Sequence, residues 1–184
     1  PEVFDTDKRP WIDPSQAEAF AISEVIEKCP TGALRFRFPG GSPSETPDAN
    51  VTIEVVASGP LYTRGDIRVE AADGEVDSET RVALCRCGAS ENKPWCDNSH
   101  VEAGFDDAGA LGESKLAPID GSETTGVDVR QAPNGPLLIT GELTLIGTAG
   151  EPLTGGRGAL CRCGASSNKP FCDGSHARVG FEAN

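Results

Sequence analysis

The sequence predicts a mainly β protein with short helices, in which two repeats intertwine into an internal pseudo-two-fold body preceded by a helical appendage. Three observations predict it. A shift of 76 positions superposes Cys85 on Cys161, His100 on His176, Gly59-Pro60-Leu61 on Gly135-Pro136-Leu137 and Gly104-Phe105 on Gly180-Phe181, with no gap from Val51/Val127 to Phe105/Phe181. A whole unit is therefore duplicated, and such units pair as the protomers of a C2 dimer do. Glycine and proline supply 36 of the 184 residues and aromatics only 5%, which favours short strands and many turns over long helices. Finally, the segments between the turn signals alternate apolar and polar residues, the period of a half-buried strand.

From the N-terminus, residues 1–38 form the appendage. Asp13-Pro14-Ser15-Gln16 offers a helix N-cap, a proline at the first helical position and a capping-box glutamine. Ala19, Ile22, Ile26 and Cys29 then fall near one helical face before Pro30 and Gly32 stop it. A linker, Pro39 to Asp48, reads PGGSPSETPD. The first repeat, 51–105, holds strands at Val51 to Val56 and Ile67 to Val69, with turns at Gly59-Pro60 and Asp73-Gly74. A second linker, Asp106 to Gly126, is rich in Gly, Ser, Asp and Thr. The second repeat, 127–181, has its clearest strand from Leu137 to Ile146 and turns at Asn134-Gly135 and Ala149-Gly150.

Composition excludes several classes of partner. A net charge of -13 opposes nucleic acid and anionic membrane surfaces, which require a basic face. No apolar run reaches the roughly 18 residues of a membrane span, and PEVFDTDKRP has neither a signal-peptide core nor a transit-peptide pattern. A cytoplasmic protein is expected, and there thiols stay reduced. Seven cysteines, three in each repeat, form no even disulfide set.

The cysteines instead follow metal spacing. CRCGASENKPWCDNSH from Cys85 returns as CRCGASSNKPFCDGSH from Cys161, identical at 13 of 16 positions. Each copy places three cysteines and one histidine as C-x-C-x8-C-x3-H, and thiolate and imidazole are ligands that zinc and iron-sulfur clusters select. The candidate ligands are Cys85, Cys87, Cys96 and His100 in the first copy, and Cys161, Cys163, Cys172 and His176 in the second. On spacing alone, a zinc-binding structural or interaction module with two Cys3His sites is the alternative, although its cysteine pairs more often open as C-x2-4-C. Each motif follows the last strand of its repeat, with Asp97 or Asp173 placed to cap a short helix whose first turn carries the histidine.

These stretches resemble the CDGSH iron-sulfur, or mitoNEET-like, family. The second copy, Cys161-Arg-Cys163-Gly-Ala-Ser166-x3-Pro170-x-Cys172-Asp173-Gly174-Ser175-His176, matches its pattern throughout, and the first departs at Asn98. The resemblance implies two intertwined CDGSH repeats and two [2Fe-2S] clusters, each held by three cysteines and one histidine. The segments Arg9-Pro10-Trp11-Ile12-x-Pro14 and Cys29-Pro30-Thr31-Gly32-Ala33-Leu34 resemble the end of a divergent ferredoxin-like domain, in which the cysteine before proline is a cluster ligand. Cys29 alone cannot hold a cluster and is expected to be a small buried apolar residue.

An oxidised [2Fe-2S] core with three thiolates and neutral imidazole carries a charge of about -1, one less negative than with four thiolates, so its potential should lie above that of an all-cysteine ferredoxin. Imidazole must be neutral to ligate, which makes the histidine the point of acid attack. Arg86 and Arg162 could offset cluster charge, and Ser90 and Ser166 could donate to sulfur. The expected function is electron transfer, or cluster transfer and storage, with redox proteins or apo iron-sulfur acceptors as partners. A monomer containing an internal pseudo-dimer is expected. With no Ser-His-Asp set, P-loop or Rossmann glycines, the chain does not read as an enzyme.

Overall fold

A computed structural model describes residues 2–38, 40, 45–71, 73–118, 121, 125–150 and 152–183. Among these residues, six strands form one sheet: β1 (Val51–Val55), β2 (Leu61–Glu70), β3 (Val76–Leu84), β4 (Val127–Gln131), β5 (Leu137–Ile146) and β6 (Leu153–Leu160). Three helices accompany them: α1 (Ala19–Ile26), α2 (Ser99–Glu102) and α3 (Ser175–Arg178).

Pairing explains how the repeats interlock. In each repeat three strands form an antiparallel meander, β1-β2-β3 and β4-β5-β6. The first strand of each also runs parallel to the long strand of the other, β1 beside β5 with Ile53 opposite Leu145, and β4 beside β2 with Val129 opposite Val69. Strands β1 and β4 thus lie end to end between β2 and β5. Bulges between Arg64 and Ile67 in β2, and between Thr140 and Leu143 in β5, bend each long strand where it passes from one partner to the other. The intertwined body with an internal pseudo-two-fold and a helical N-terminal segment is the fold the sequence predicts.

The core is the inward face of these strands. Alternation puts Leu61, Ile67 and Val69 of β2 and Leu137, Ile139, Leu143 and Leu145 of β5 inside, with Val51, Ile53, Val55, Val127 and Val129 packed against them. Thr63 stands in β2 where β5 has Ile139; it is buried, and among the described residues its hydroxyl has no hydrogen-bond partner.

Two expectations need correction at the appendage. The Asp13 cap closes a separate 3-10 turn, Pro14–Gln16, with Asp13 Oδ1 accepting from the Ser15 amide at 3.1 Å. Gln16 bonds the Asp13 carboxylate rather than its backbone amide, and α1 begins at Ala19 without a side-chain cap. Cys29 lies beyond α1 and is half-buried beside the Thr31 hydroxyl. Burial would raise its pKa, but hydrogen bonds from Thr31, Leu34 and Ala33 outweigh it and bring the thiol down to about 7. Its setting is polar, not the apolar one expected.

The segments read as linkers also hold contacts. Part of Pro39 to Asp48 lies outside the described residues, but Glu45 bonds Thr80 and Arg81, and Asp48 pairs with Arg64 at 2.6 Å. From Asp106 to Ala117 the chain is a strap, with Leu111 and Leu116 packed on the core and Ala117 bridged to Arg157 of β6. A Cβ on Gly155 or Gly158 would meet Leu116 at 2.6 or 2.8 Å, so the glycines of β6 admit the strap. Among the described residues, no helix is long and apolar enough to cross a membrane.

Candidate metal centres

Each candidate centre is built on the end of a strand. Beyond β3 the chain turns back so that Trp95 bridges Leu84, the Cys85 amide donates to Pro94 O at 2.7 Å, and the Cys96 amide donates to Ala83 O at 2.8 Å. Beyond β6, Phe171 bridges Leu160, and the Cys161 and Cys172 amides donate to Pro170 O at 2.7 Å and Ala159 O at 2.9 Å. The ladder thereby fixes the third cysteine beside the first two.

Within each loop the donors fall in two pairs. Cys85 and Cys87 hold their sulfurs 3.7 Å apart, and Cys96 Sγ lies 3.5 Å from His100 Nδ1. In the second motif Cys161 and Cys163 are 3.8 Å apart, and Cys172 Sγ is 3.4 Å from His176 Nδ1. A tetrahedral metal about 2.3 Å from sulfur and 2.0 to 2.1 Å from nitrogen has a sulfur–sulfur edge of about 3.8 Å and a sulfur–nitrogen edge of about 3.6 Å. Each pair therefore has the bite of one metal. Among the described residues, no three His, Cys, Asp or Glu side chains converge as a single ion's donor set.

The short helices aim the histidines. Asn98 and Gly174 precede α2 and α3 in the left-handed region at φ of 70° and 84°, a conformation glycine and asparagine take at least cost. Asp97 accepts from the amides of Ser99 at 3.0 Å and Glu91 at 2.8 Å, and Asp173 from those of Ser175 and Ser167, both at 2.9 Å. The aspartates, read as caps of the short helices, stand one residue before the N-cap positions that Asn98 and Gly174 hold, and their carboxylates order the turn instead. Hydrogen bonds from the serine after each, then from the distant amide, hold both carboxyls well below the usual range. The amides of Asn98 and Gly174 point at Cys96 and Cys172 Sγ, both at 3.4 Å.

The thiols sense burial and one another. Cys85 falls to about 6 because the Cys87 thiol donates to it, while its sulfur pushes Cys87 up. Burial pushes Cys96 up, and Cys161 up to about 11. A metal must displace these protons.

Arg86 and Arg162, read as offsetting cluster charge, are buried, each 1% exposed, and also gather backbone carbonyls. Arg86 donates to Gly59 O at 2.8 Å and Asp107 at 2.6 Å, and Arg162 to Gly135 O at 2.9 Å and Ala132 O at 2.8 Å. They stack on Phe105 and Phe181 at 4.9 and 5.4 Å. Ser90 and Ser166 donate to Trp95 O and Phe171 O rather than to sulfur. Sequence reasoning missed the cross-contact of the loops: a Cβ on Gly88 would lie 2.9 Å from Cys163 O, and one on Gly164 2.6 Å from Cys87 O. The C-x-C-G pattern carried that signal, a glycine beside each cysteine pair.

Residues 58–101 and 134–177 each match the family model described as the iron-binding zinc finger, CDGSH type. The chain belongs to the CDGSH family. Residues 1–38 match the model described as a divergent 4Fe-4S mono-cluster domain, in line with the N-terminal resemblance. CDGSH membership makes the chain an iron-sulfur-binding protein. Similar proteins include Uncharacterized protein YjdI from Escherichia coli strain K12 and from strain O157:H7, each 36% identical over 36 residues, or 20% of this chain and 47% of the relative. The chain spans about half the length of these curated relatives.

Proposed function

We propose that the protein binds two [2Fe-2S] clusters and acts as an electron carrier or cluster donor, with Cys85, Cys87, Cys96 and His100 holding one and Cys161, Cys163, Cys172 and His176 the other. The carrying observation is the split of each donor set into a thiol pair at 3.7 or 3.8 Å and a thiol–imidazole pair at 3.5 or 3.4 Å. Two bites per motif suit two metals, whereas a single zinc ion requires four donors around one point. The bound group supplies one-electron chemistry. The chain's part is to hold it: the strand-end ladder sets the cysteines, the aspartate bridges order the loops, and the short helices present the half-buried histidines.

The function is thus one of carrying rather than of catalysis, set in the cytoplasm with redox proteins or apo iron-sulfur proteins as partners. The test is metal analysis of anaerobically purified protein. About four iron and four acid-labile sulfide per chain are expected, with visible absorption; stoichiometric zinc without sulfide would sink the proposal. Incubation with an apo-ferredoxin separates donation, in which absorbance moves to the acceptor, from electron transfer, in which it stays.

A further inference from the structure

We propose that the two centres are unequal: the first motif is the site from which a cluster leaves, and the second is the site that keeps one. This deepens the two-cluster reading and rests on it. Four differences point the same way.

The strap meets the first motif through Asp107, which accepts from Arg86 at 2.6 Å, but grips the second ligand loop through several further bonds. Asn168 Oδ1 accepts from the Glu113 amide at 2.7 Å, its Nδ2 donates to Glu113 O at 2.9 Å, and Lys169 O accepts from the Gly112 amide at 2.9 Å. Lys169 Nζ also lies 3.7 Å from Asp107. The matched Asn92 and Lys93 bond only within their own loop among the described residues, the Asn92 amide to Ser90 Oγ at 3.1 Å and Lys93 to Ser90 O.

Charge is the second difference. Arg178 donates to Ser175 Oγ at 2.5 Å and lies 3.8 Å from Asp173, tying α3 to the turn that starts it. The first repeat has Glu102 at that position and Glu91 in place of Ser167. The first centre is more negative by three charges and opposes an anionic cluster more strongly.

Third, Asn98 takes the left-handed conformation that glycine takes at position 174. Fourth, Trp95 and Ser99 are half-buried where Phe171 and Ser175 are 0% and 3% exposed. Ligand exchange requires the loop to open, and a loop with fewer ties, less burial and more backbone strain opens more often.

The test follows iron and sulfide release from the as-purified protein into excess EDTA. Two phases of equal amplitude are expected, each releasing iron with its sulfide, at rates differing by about tenfold or more, which corresponds to about 1.4 kcal/mol. Glu102→Arg and Asn98→Gly should slow the fast phase, while Asn168→Ala and Arg178→Glu should speed the slow one. Amide hydrogen exchange on the unmutated protein gives a second readout, with faster exchange in 85–98 than in 161–174. One release phase with equal exchange in both loops overturns the inequality, as does a fast phase that answers to Arg178→Glu instead of Glu102→Arg. A protein with zinc and no sulfide fails earlier, at the two-cluster reading, so the two failures are distinct.

Discussion

The outer strands β3 and β6 are the same element copied, yet they are finished differently. Arg81 of β3 is 1% exposed and holds the appendage through Ile26 O at 2.7 Å, Leu34 O at 3.1 Å, Cys29 O and the Glu45 carboxylate. Arg157, its counterpart in β6, is exposed, and there the backbone alone pairs with the strap, the Ala117 amide donating to Arg157 O at 2.8 Å. A duplicated unit keeps its register because the core demands it, while the covering of each edge is free to diverge. One edge is clamped by a side chain and the other by a backbone ladder.

Replacing the arginines tests that contrast most strongly. Arg81→Ala should cost about 3 to 5 kcal/mol in urea unfolding, since it strands Glu45 and three carbonyls, whereas Arg157→Ala should stay within about 0.5 kcal/mol. Equal losses would mean that the edges are held alike. The glycine cross-contact comes next. Gly164→Ala places a methyl 2.6 Å from Cys87 O in a left-handed conformation and should cost about 2 to 3 kcal/mol; nuclear magnetic resonance shifts in the first motif as well as the second would report the contact.

If the histidines hold the proposed clusters, both centres should be open to acid. Cluster loss should accelerate as pH falls from about 8 to 5.5, and the double His100→Cys, His176→Cys variant should lose cluster about tenfold more slowly at the acid end, because a free imidazole titrates near 6.5. Equal decay of variant and wild type would exclude histidine protonation as the trigger. Thr63→Val, which removes the unpartnered hydroxyl, should stabilise by about 1 kcal/mol, while Ile139→Thr should destabilise.

The smallest effect belongs to the aspartates. Asp97 and Asp173 have folded pKa values held below the unfolded value of about 3.9, so their stabilisation is present above that pH and is lost as pH falls through the lowered value. Loop order, followed by hydrogen exchange without metal, should therefore be flat from pH 7 to 5 and fall only below about 4. Asp97→Asn and Asp173→Asn should flatten that fall.

Much of this was legible because the repeat let one copy explain the other. The ligand spacing, the turns and the β1 and β5 alternation were local signals. Strand β6 was not, because LTGGRGAL has glycines where a strand pattern needs side chains, and those glycines answer to Leu116, a contact made across the chain. The strap hid for the same reason: its polar composition matches a linker, and only folding reveals where Leu111 and Leu116 are buried. Arg86 and Arg162 were legible only in part, because a guanidinium between cysteines suggests charge, while the backbone carbonyls that it also gathers come from a turn 27 residues earlier.

The strand exchange governs how the protein emerges from the ribosome. When the first half has been synthesised, β1 and β2 already exist but the sheet edge between them waits for β4 and β5, which are still to be translated. Such non-local pairing delays folding until the second repeat has been made. Gly88 likewise has no Cys163 backbone to rest on until the last quarter of the chain appears. Cofactor insertion should therefore wait for the second repeat at both proposed centres, and ribosome-stalled chains ending near residue 120 should acquire no iron.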